Sequence, residues 1–359
     1  MSVAAGAAVG PPPGMAIRLS SNESPFGPSP AAVEAATSVL AEAHRYPDDA
    51  SAQLRAAIAV DEGVTPAEVA VGTGSAALLM DLIPQRCAGE PAAEVLAFER
   101  SFIVYRLAAR NAGAAYVEVA TGGPATGTDD GYARDVEALL AAVTPRTRVV
   151  AIDNPANPTA AHVTGEALRH LADALPDHVT LLIDEAYHHF ATDQQGYARV
   201  RDLDLAHEDV VVLATFSKAH ALAGLRVGAL LGPSALVAAT DGRRPRFNVA
   251  AAAQAAAVAS LGDRAHLERT IRGTIAGRGR LSAGLHELGV AHSAGLGNFV
   301  TVELQRPAGP VVEAFAARGI GVRPLTPYGL EEQVRITVGT PAEVDAVLSA
   351  AAEVLPPSA

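Results

Sequence analysis

The chain has 359 residues, a formal net charge of −12, a single cysteine and no tryptophan. That length exceeds a small binding module and implies one sizeable domain plus a smaller one, while the acidic balance argues against a nucleic-acid partner. A lone Cys87 rules out disulfides within the chain and points to a reducing cytoplasm, and no apolar run approaches the roughly 18–20 residues that a membrane-spanning helix needs.

Residues 1–18 are expected to be a disordered N-terminal arm; the first 14 are rich in Ala, Gly and Pro and lack the charged start of a signal peptide. The polar segment from Leu19 is punctuated by Pro25, Pro28 and Pro30, so it reads as extended chain before a helix over 31–43. A turn at 45–48 leads to a helix over 50–60 and a short strand over 68–71. Val71-Gly72-Thr73-Gly74-Ser75-Ala76 then reads as a strand leaving through a glycine-rich turn into a helix, an arrangement that offers backbone amides to a phosphate. No Lys-Ser or Lys-Thr follows, so it is not a nucleotide-binding P-loop.

Beyond it, strands are predicted over 95–98, 115–119, 149–153, 180–184, 210–215 and 227–231, and helices over 102–111, 133–143, 164–175 and near Ser234. Most of these strands are continuous apolar runs. Such runs imply a sheet covered on both faces, hence a mainly parallel α/β architecture. A long helical tract over 249–288 precedes strands over 299–303, 320–323 and 334–338 and a last helix over 341–352. The predicted division is a segment 19–45 joining a smaller α+β domain, a large domain over 46–245, and the small domain over 246–359 with an interdomain helix.

One residue stands out chemically: of 27 basic residues 26 are arginine and one, Lys218, is lysine. A guanidinium stays protonated at any ordinary pH, whereas a desolvated ε-amine loses its proton and can attack a carbonyl to form a Schiff base. Thr215, Ser217 and Arg226 surround that amine with phosphate donors. Pyridoxal 5'-phosphate (PLP) carries both the aldehyde and the phosphate that such a set would hold.

In an open parallel sheet, ligands lie beyond the carboxyl ends of the strands. Those ends here carry Asn157, Asp184 with Tyr187, and Lys218. A carboxylate beside the ring nitrogen keeps it protonated, which is the role expected of Asp184, and Asn157 and Tyr187 suit the ring oxygen. Asn-Pro turns and strand-end caps are the ordinary alternatives for these residues. A nucleotide-binding module using Gly72-Thr73-Gly74 is a rival reading. A cofactor-sensing regulator is another, although the short stretch before Leu19 leaves no room for a DNA-binding module.

Ser21-Asn22-Glu23-Ser24-Pro25, Arg45-Tyr46-Pro47-Asp48, Gly72-Thr73-Gly74-Ser75, Asn154-Pro155-Ala156-Asn157-Pro158-Thr159, Asp184-Glu185-Ala186-Tyr187, Ser217-Lys218 through Gly228, and Val334-Arg335-Ile336-Thr337 occur in that order. In these motifs the chain resembles the fold-type I, class I/II aminotransferases, and is most similar to the histidinol-phosphate aminotransferases. The resemblance implies the PLP-dependent transferase fold, and a cytoplasmic homodimer with active sites at its interface that moves an amino group from an amino donor to a 2-oxo acid by a ping-pong route. It implies that Lys218 anchors the cofactor and transfers the proton, with Asp184 and Tyr187 beside it. Gly74, Ser75, Ala76, Thr215, Ser217 and Arg226 would hold the phosphate, Tyr46 would reach it from the partner, and Phe102 would stack on the ring. Arg335, Asn22 and Arg323 would meet the substrate, and no metal is expected. A decarboxylase, lyase or oxidase of the same fold would share every cofactor residue. The chain departs from the family pattern at Ala160 in place of a glycine, at Ala76-Ala77, at Glu99-Arg100-Ser101, and at His188-His189, read as packed or solvated rather than catalytic.

Overall fold

A computed structural model describes residues 16–124, 131–191 and 196–355. The chain enters as β1 (Ile17–Arg18), which pairs in parallel with β11 (Ile320–Gly321). The expected disordered arm therefore ends earlier than residue 18: Ile17 N–H donates to Gly319 and Leu19 N–H to Gly321. Its first 15 residues lie outside the described ones.

Seven strands build the main sheet: β2 (Val69–Gly72), β3 (Glu94–Phe98), β4 (Ala115–Val119), β5 (Thr147–Asp153), β6 (Thr180–Asp184), β7 (Val210–Thr215) and β8 (Gly228–Leu231), in the spatial order β2-β8-β7-β6-β5-β3-β4. The block from β7 to β4 is parallel, and β8 runs antiparallel to both of its neighbours. Successive side chains of a strand point to opposite faces. In β5, Val149 and Ala151 pack on one face while Val150 and Ile152 pack on the other, all fully buried. That is why these strands read as unbroken apolar runs.

The helices covering the sheet are α1 (Pro30–Ser38), α2 (Ala52–Glu62), α3 (Ser75–Cys87), α4 (Val104–Ala112), α5 (Val136–Ala141), α6 (Gly165–Ala174), α7 (Ser234–Asp241) and α8 (Ala251–Gly262). Side-chain oxygens cap several of them: Ser29 accepts from Ala32 N–H, Asp135 from Glu137, and Thr164 from Ala167, each cap contributing about 1 kcal/mol. The predicted single tract over 249–288 is two helices, because Asp263 ends α8 and its carboxylate caps α9 (Arg264–Glu287) by accepting from His266 N–H.

The second sheet, in the order β12-β13-β10-β9, contains β9 (His292–Ser293), β10 (Phe299–Glu303), β12 (Arg323–Pro324) and β13 (Gln333–Thr337). It packs against α9, α10 (Ala308–Ala316) and α11 (Pro341–Val354) through Leu281, Val300, Phe315, Ile336 and Val347. Val249, Ala253, Ala256 and Ala257 belong instead to the core of the main sheet, although the predicted division placed residues from 246 onward with the small domain. Leu19 joins the smaller core and Ala32 the larger one.

Candidate active site

The strand directions bring the polar loops to one edge. β5 and β6 end in register at Asp153 and Asp184, and β7 ends beside them at Thr215. Because β8 is antiparallel, it starts at that same edge, where Gly228 pairs with both Thr215 and Gly72. The amino end of α3 follows from Gly72 and lies there too. Gly228 makes the approach possible, since a Cβ on it would come within 2.2 Å of Ser75 N. Gly74 (φ +87°) turns the chain into α3, and a Cβ there would lie 2.5 Å from Arg226 Nη2. Glycine is the residue that accepts such a φ without strain.

Between these elements is a cavity of about 320 Å³ lined by Ser75, Ala76, Phe102, Asn157, Asp184, Tyr187, Thr215, Ser217, Lys218 and Arg226. Ten of the residues expected at a site thus line one cavity. Arg226 Nη1 donates to Ser217 Oγ at 3.2 Å, and Ser217 N–H donates to Thr215 Oγ1 at 3.2 Å. Arginine, two hydroxyls and the unpaired first amides of α3 form a cup suited to a phosphate.

Lys218 Nζ donates to the carbonyl of Asn22 at 3.1 Å and lies 5.5 Å from the centre of the Tyr187 ring. Burial is the main force on it, and with Arg335 and Arg226 it pushes the amine from the usual 10.5 down to about 7, against the opposing pull of Glu23 and Asp184. Asp184 is shifted the other way. Burial first and Asp153 second raise its carboxyl to about 7, offset in part by the Ala186 N–H at 3.1 Å.

Tyr187 OH accepts from Asn22 Nδ2 at 2.9 Å, leaving its own proton to donate, and its ring meets Phe299 edge-on at 5.4 Å. Asn22 is buried, and its amide is engaged at both ends, since Thr337 Oγ1 donates to its Oδ1 at 3.2 Å. Arg335 is buried and donates to Asn157 Oδ1 and, at 3.1 Å, to the Ser20 carbonyl. Arg323, its cross-strand neighbour, donates to the same carbonyl at 3.1 Å. Tyr46 stands apart from the cavity: it is 81% exposed and stacks on Phe247 at 4.5 Å. His188 and His189 are packed against each other at 3.8 Å, with His220 edge-on to His189, and burial holds all three well below the usual imidazole range.

Sequence reading gives no role to Asp153 or Arg134, and both matter here. Asp153 Oδ2 accepts from the N–H groups of Phe102 (3.0 Å) and Asn157 (2.8 Å), fixing two cavity walls, and Arg134 Nη1 neutralises it at 2.9 Å. The signal available was an acid at a strand end, but its partners come from loops about 50 and 20 residues earlier, which no local motif announces.

A model of the aminotransferase class I and II family matches residues 15–350. The chain is 41% identical over 337 residues to a histidinol-phosphate aminotransferase of Rhodospirillum centenum, spanning 93% of this chain and 90% of that protein. It is equally 41% identical, over 334 residues, to an aromatic amino acid aminotransferase of Rhodococcus opacus, spanning 93% and 89%. Among solved structures, the histidinol-phosphate aminotransferase of Sinorhizobium meliloti in complex with pyridoxal-5'-phosphate superposes with a TM-score of 0.84 at 29% identity, covering 95% of this chain and 90% of that one. With its fold, cavity and motifs in agreement with that match, the chain belongs to the aminotransferase class I and II family.

Proposed function

We propose that this chain is a PLP-dependent aminotransferase that takes the amino group of an amino donor and passes it to a 2-oxo acid such as 2-oxoglutarate, in two half-reactions at one site. The observation that carries the reading is the placement of the chain's single lysine: its amine, held near neutrality, faces a cavity with a buried carboxylate on its floor and a phosphate cup at its side.

The residues fit PLP on their own chemistry. Arg226, Ser217, Thr215 and the α3 amides match a dianionic phosphate, and bare Gly74 leaves room for the Arg226 guanidinium. A carboxylate buried beside a second acid favours its neutral form until a cation stands next to it, and Asp184 is thereby suited to a protonated ring nitrogen. Phe102 offers a ring face, and Asn157 and Tyr187 offer N–H and O–H donors for a ring oxygen.

When bound, PLP supplies the aldehyde carbon that carries the amino group and a protonated ring that draws electrons from the substrate. Lys218 would hold the cofactor, and its Nζ, once freed by the donor, would be the base that receives the proton lost from the donor's α-carbon. Burial serves this step by lowering the amine to about 7, so that it can give up its proton near neutral pH. Arg335, fixed by Asn157 and Ser20, is the guanidinium for an anionic substrate group. Relatives named for histidinol phosphate and for aromatic amino acids make these the first donors to try. A cytoplasmic homodimer, in which Tyr46 of one copy reaches the phosphate of the other, agrees with the exposure of Tyr46, and among the described residues no helix is long and apolar enough to cross a membrane.

Purified protein loaded with PLP should show the visible band of a lysine-bound cofactor. Borohydride should then fix the label at position 218, and Lys218→Ala should abolish both band and label. Histidinol phosphate or phenylalanine with 2-oxoglutarate should yield glutamate in equal amount to the donor consumed. Release of CO₂ with no glutamate, or a label elsewhere in the chain, would remove the proposal.

A further inference from the structure

Three carboxylates line the cavity: Asp153, Asp184 and Glu23. The first two are committed. Asp153 holds two backbone N–H groups and Arg134, and Asp184 lies at the floor, 3% exposed. The Glu23 side chain differs on both counts. It is 43% exposed, and among the described residues its ion-pair partner is Arg18 at 3.9 Å, too long for a hydrogen bond. It also borders an adjoining cavity shared with Arg18, Ser24 and Gly224, so this partly exposed carboxylate stands at the mouth of the cavity that holds Lys218.

The rest of the cavity is built to receive anions. Lys218 and Arg226 line it, and Arg335 stands directly behind Asn157. An amino donor, however, brings its nitrogen as an ammonium, for which Lys218, Arg226 and Arg335, given over to the cofactor and to the substrate's anionic group, offer no acceptor. A 2-oxo acid brings no such charge. One accessible carboxylate near the reacting amine is therefore needed for one of the two substrates and not for the other.

We propose that Glu23 is a positioning residue for the amino donor, its carboxylate receiving the incoming ammonium at the cavity mouth and holding it beside Lys218 Nζ. The proposal rests on the aminotransferase reading of the same site. Glu23 also acts on Lys218 itself, as an opposing charge that favours its protonated form.

The test compares two ligands on the PLP-loaded protein: α-methylglutamate, which carries the ammonium but no hydrogen to transfer, and glutarate, which lacks the nitrogen. Glu23→Gln should weaken α-methylglutamate binding about 10-fold and change glutarate binding less than about 2-fold, as expected for loss of one partly exposed charge pair near a cationic site. In turnover, kcat/KM should fall for the donor half-reaction, through KM, and stay level for the 2-oxoglutarate half-reaction; Glu23→Asp should recover part of the loss. Equal weakening of both ligands, or of neither, overturns the proposal. If Glu23→Gln does not fold, Glu23→Ala carries the same comparison, with unchanged cofactor absorbance as proof of an intact site. Wild-type protein that takes up no PLP would instead defeat the aminotransferase reading, whereas active wild type with an indifferent Glu23→Gln defeats only this inference.

Discussion

Lys218 and Asp184 are drawn toward the same value from opposite sides, each to about 7, and in both cases burial is the first cause. Loss of water disfavours whichever form is charged, so a base falls and an acid rises. For Lys218 the shift supplies a nucleophile. For Asp184 it is a stability cost that a bound cation would offset. The carboxyl binds its proton more tightly in the folded chain than in the unfolded one, so its contribution is fully present below pH 4 and is lost as pH rises through about 7. Asp184→Asn should therefore stabilise the PLP-free protein at pH 8, by about 1–3 kcal/mol, and the gain should vanish toward pH 4. Denaturant melts at the two pH values measure this, and a gain independent of pH would mean that ionisation is not the cause. The same variant should lose most transamination, because the amide cannot keep a ring nitrogen charged. Lys218 was legible because it is the chain's one lysine, and Asp184 because it ends an apolar strand. Asp153 and Arg134 were not, since their importance lies in contacts that folding makes between the end of β5, the loop after β3 that carries Phe102, and the segment before α5 that carries Arg134.

Element by element, the seven main-sheet strands were legible close to their observed limits, the inner ones because burial on both faces leaves little freedom in composition, whereas β4 is a partly exposed edge strand. The direction of β8 escaped that reading. A parallel neighbour needs a crossover, normally a helix, whereas residues 216–227 contain only the short 3₁₀ turn Ala223–Leu225. Absence of a helical pattern there was the available clue. Reversal of β8 has a functional effect, for it puts Gly228 against the first amide of α3 and keeps the phosphate cup narrow. Gly228→Ala would force that backbone apart, because the contact at 2.2 Å is with main-chain nitrogen and cannot be relieved by a rotamer change. The expected loss is about 3 kcal/mol of stability, together with weaker PLP binding and an increased off-rate, read by thermal melts and by cofactor release on dilution. Melting unchanged within error would show that α3 can shift freely. Ala160, at φ +59° where the family pattern has glycine, lies in the tight corner that Gly295 completes, its Cβ 2.4 Å from where a Gly295 Cβ would be. Substitution at position 160 was visible in sequence; its compensation 135 residues later was not.

Across the whole molecule, the segment from Ile17 to Asn22 ties the two cores together over the cavity. β1 pairs with β11, Leu19 N–H donates to Gly321, Thr337 N–H donates to the Leu19 carbonyl, and Asn22 N–H donates to Thr337 Oγ1 at 3.0 Å. From there Asn22 reaches the other core: its carbonyl accepts from Lys218 Nζ and its Nδ2 donates to Tyr187 OH. Lys218 and the smaller sheet thus share one residue, so cofactor anchoring and domain placement are mechanically linked. Asn22→Ala would remove the Nδ2 donor of Tyr187 OH and the Oδ1 acceptor of Thr337 Oγ1, which keeps only its bond from the residue 22 N–H, and would place alanine at φ +53°. Together these should cost about 2–4 kcal/mol. Part of that loss is backbone strain, so the variant alone does not isolate the tie. A double-mutant cycle with Tyr187→Phe does, and a coupling of about 1 kcal/mol is expected if the hydrogen bond carries force between the domains. Hydrogen exchange gives the second readout: the amides of Leu19 and Thr337 should exchange faster in Asn22→Ala than those of β5, which lies wholly in the larger core. Uniform acceleration across both sheets would mean that the substitution lowers global stability without loosening the strap.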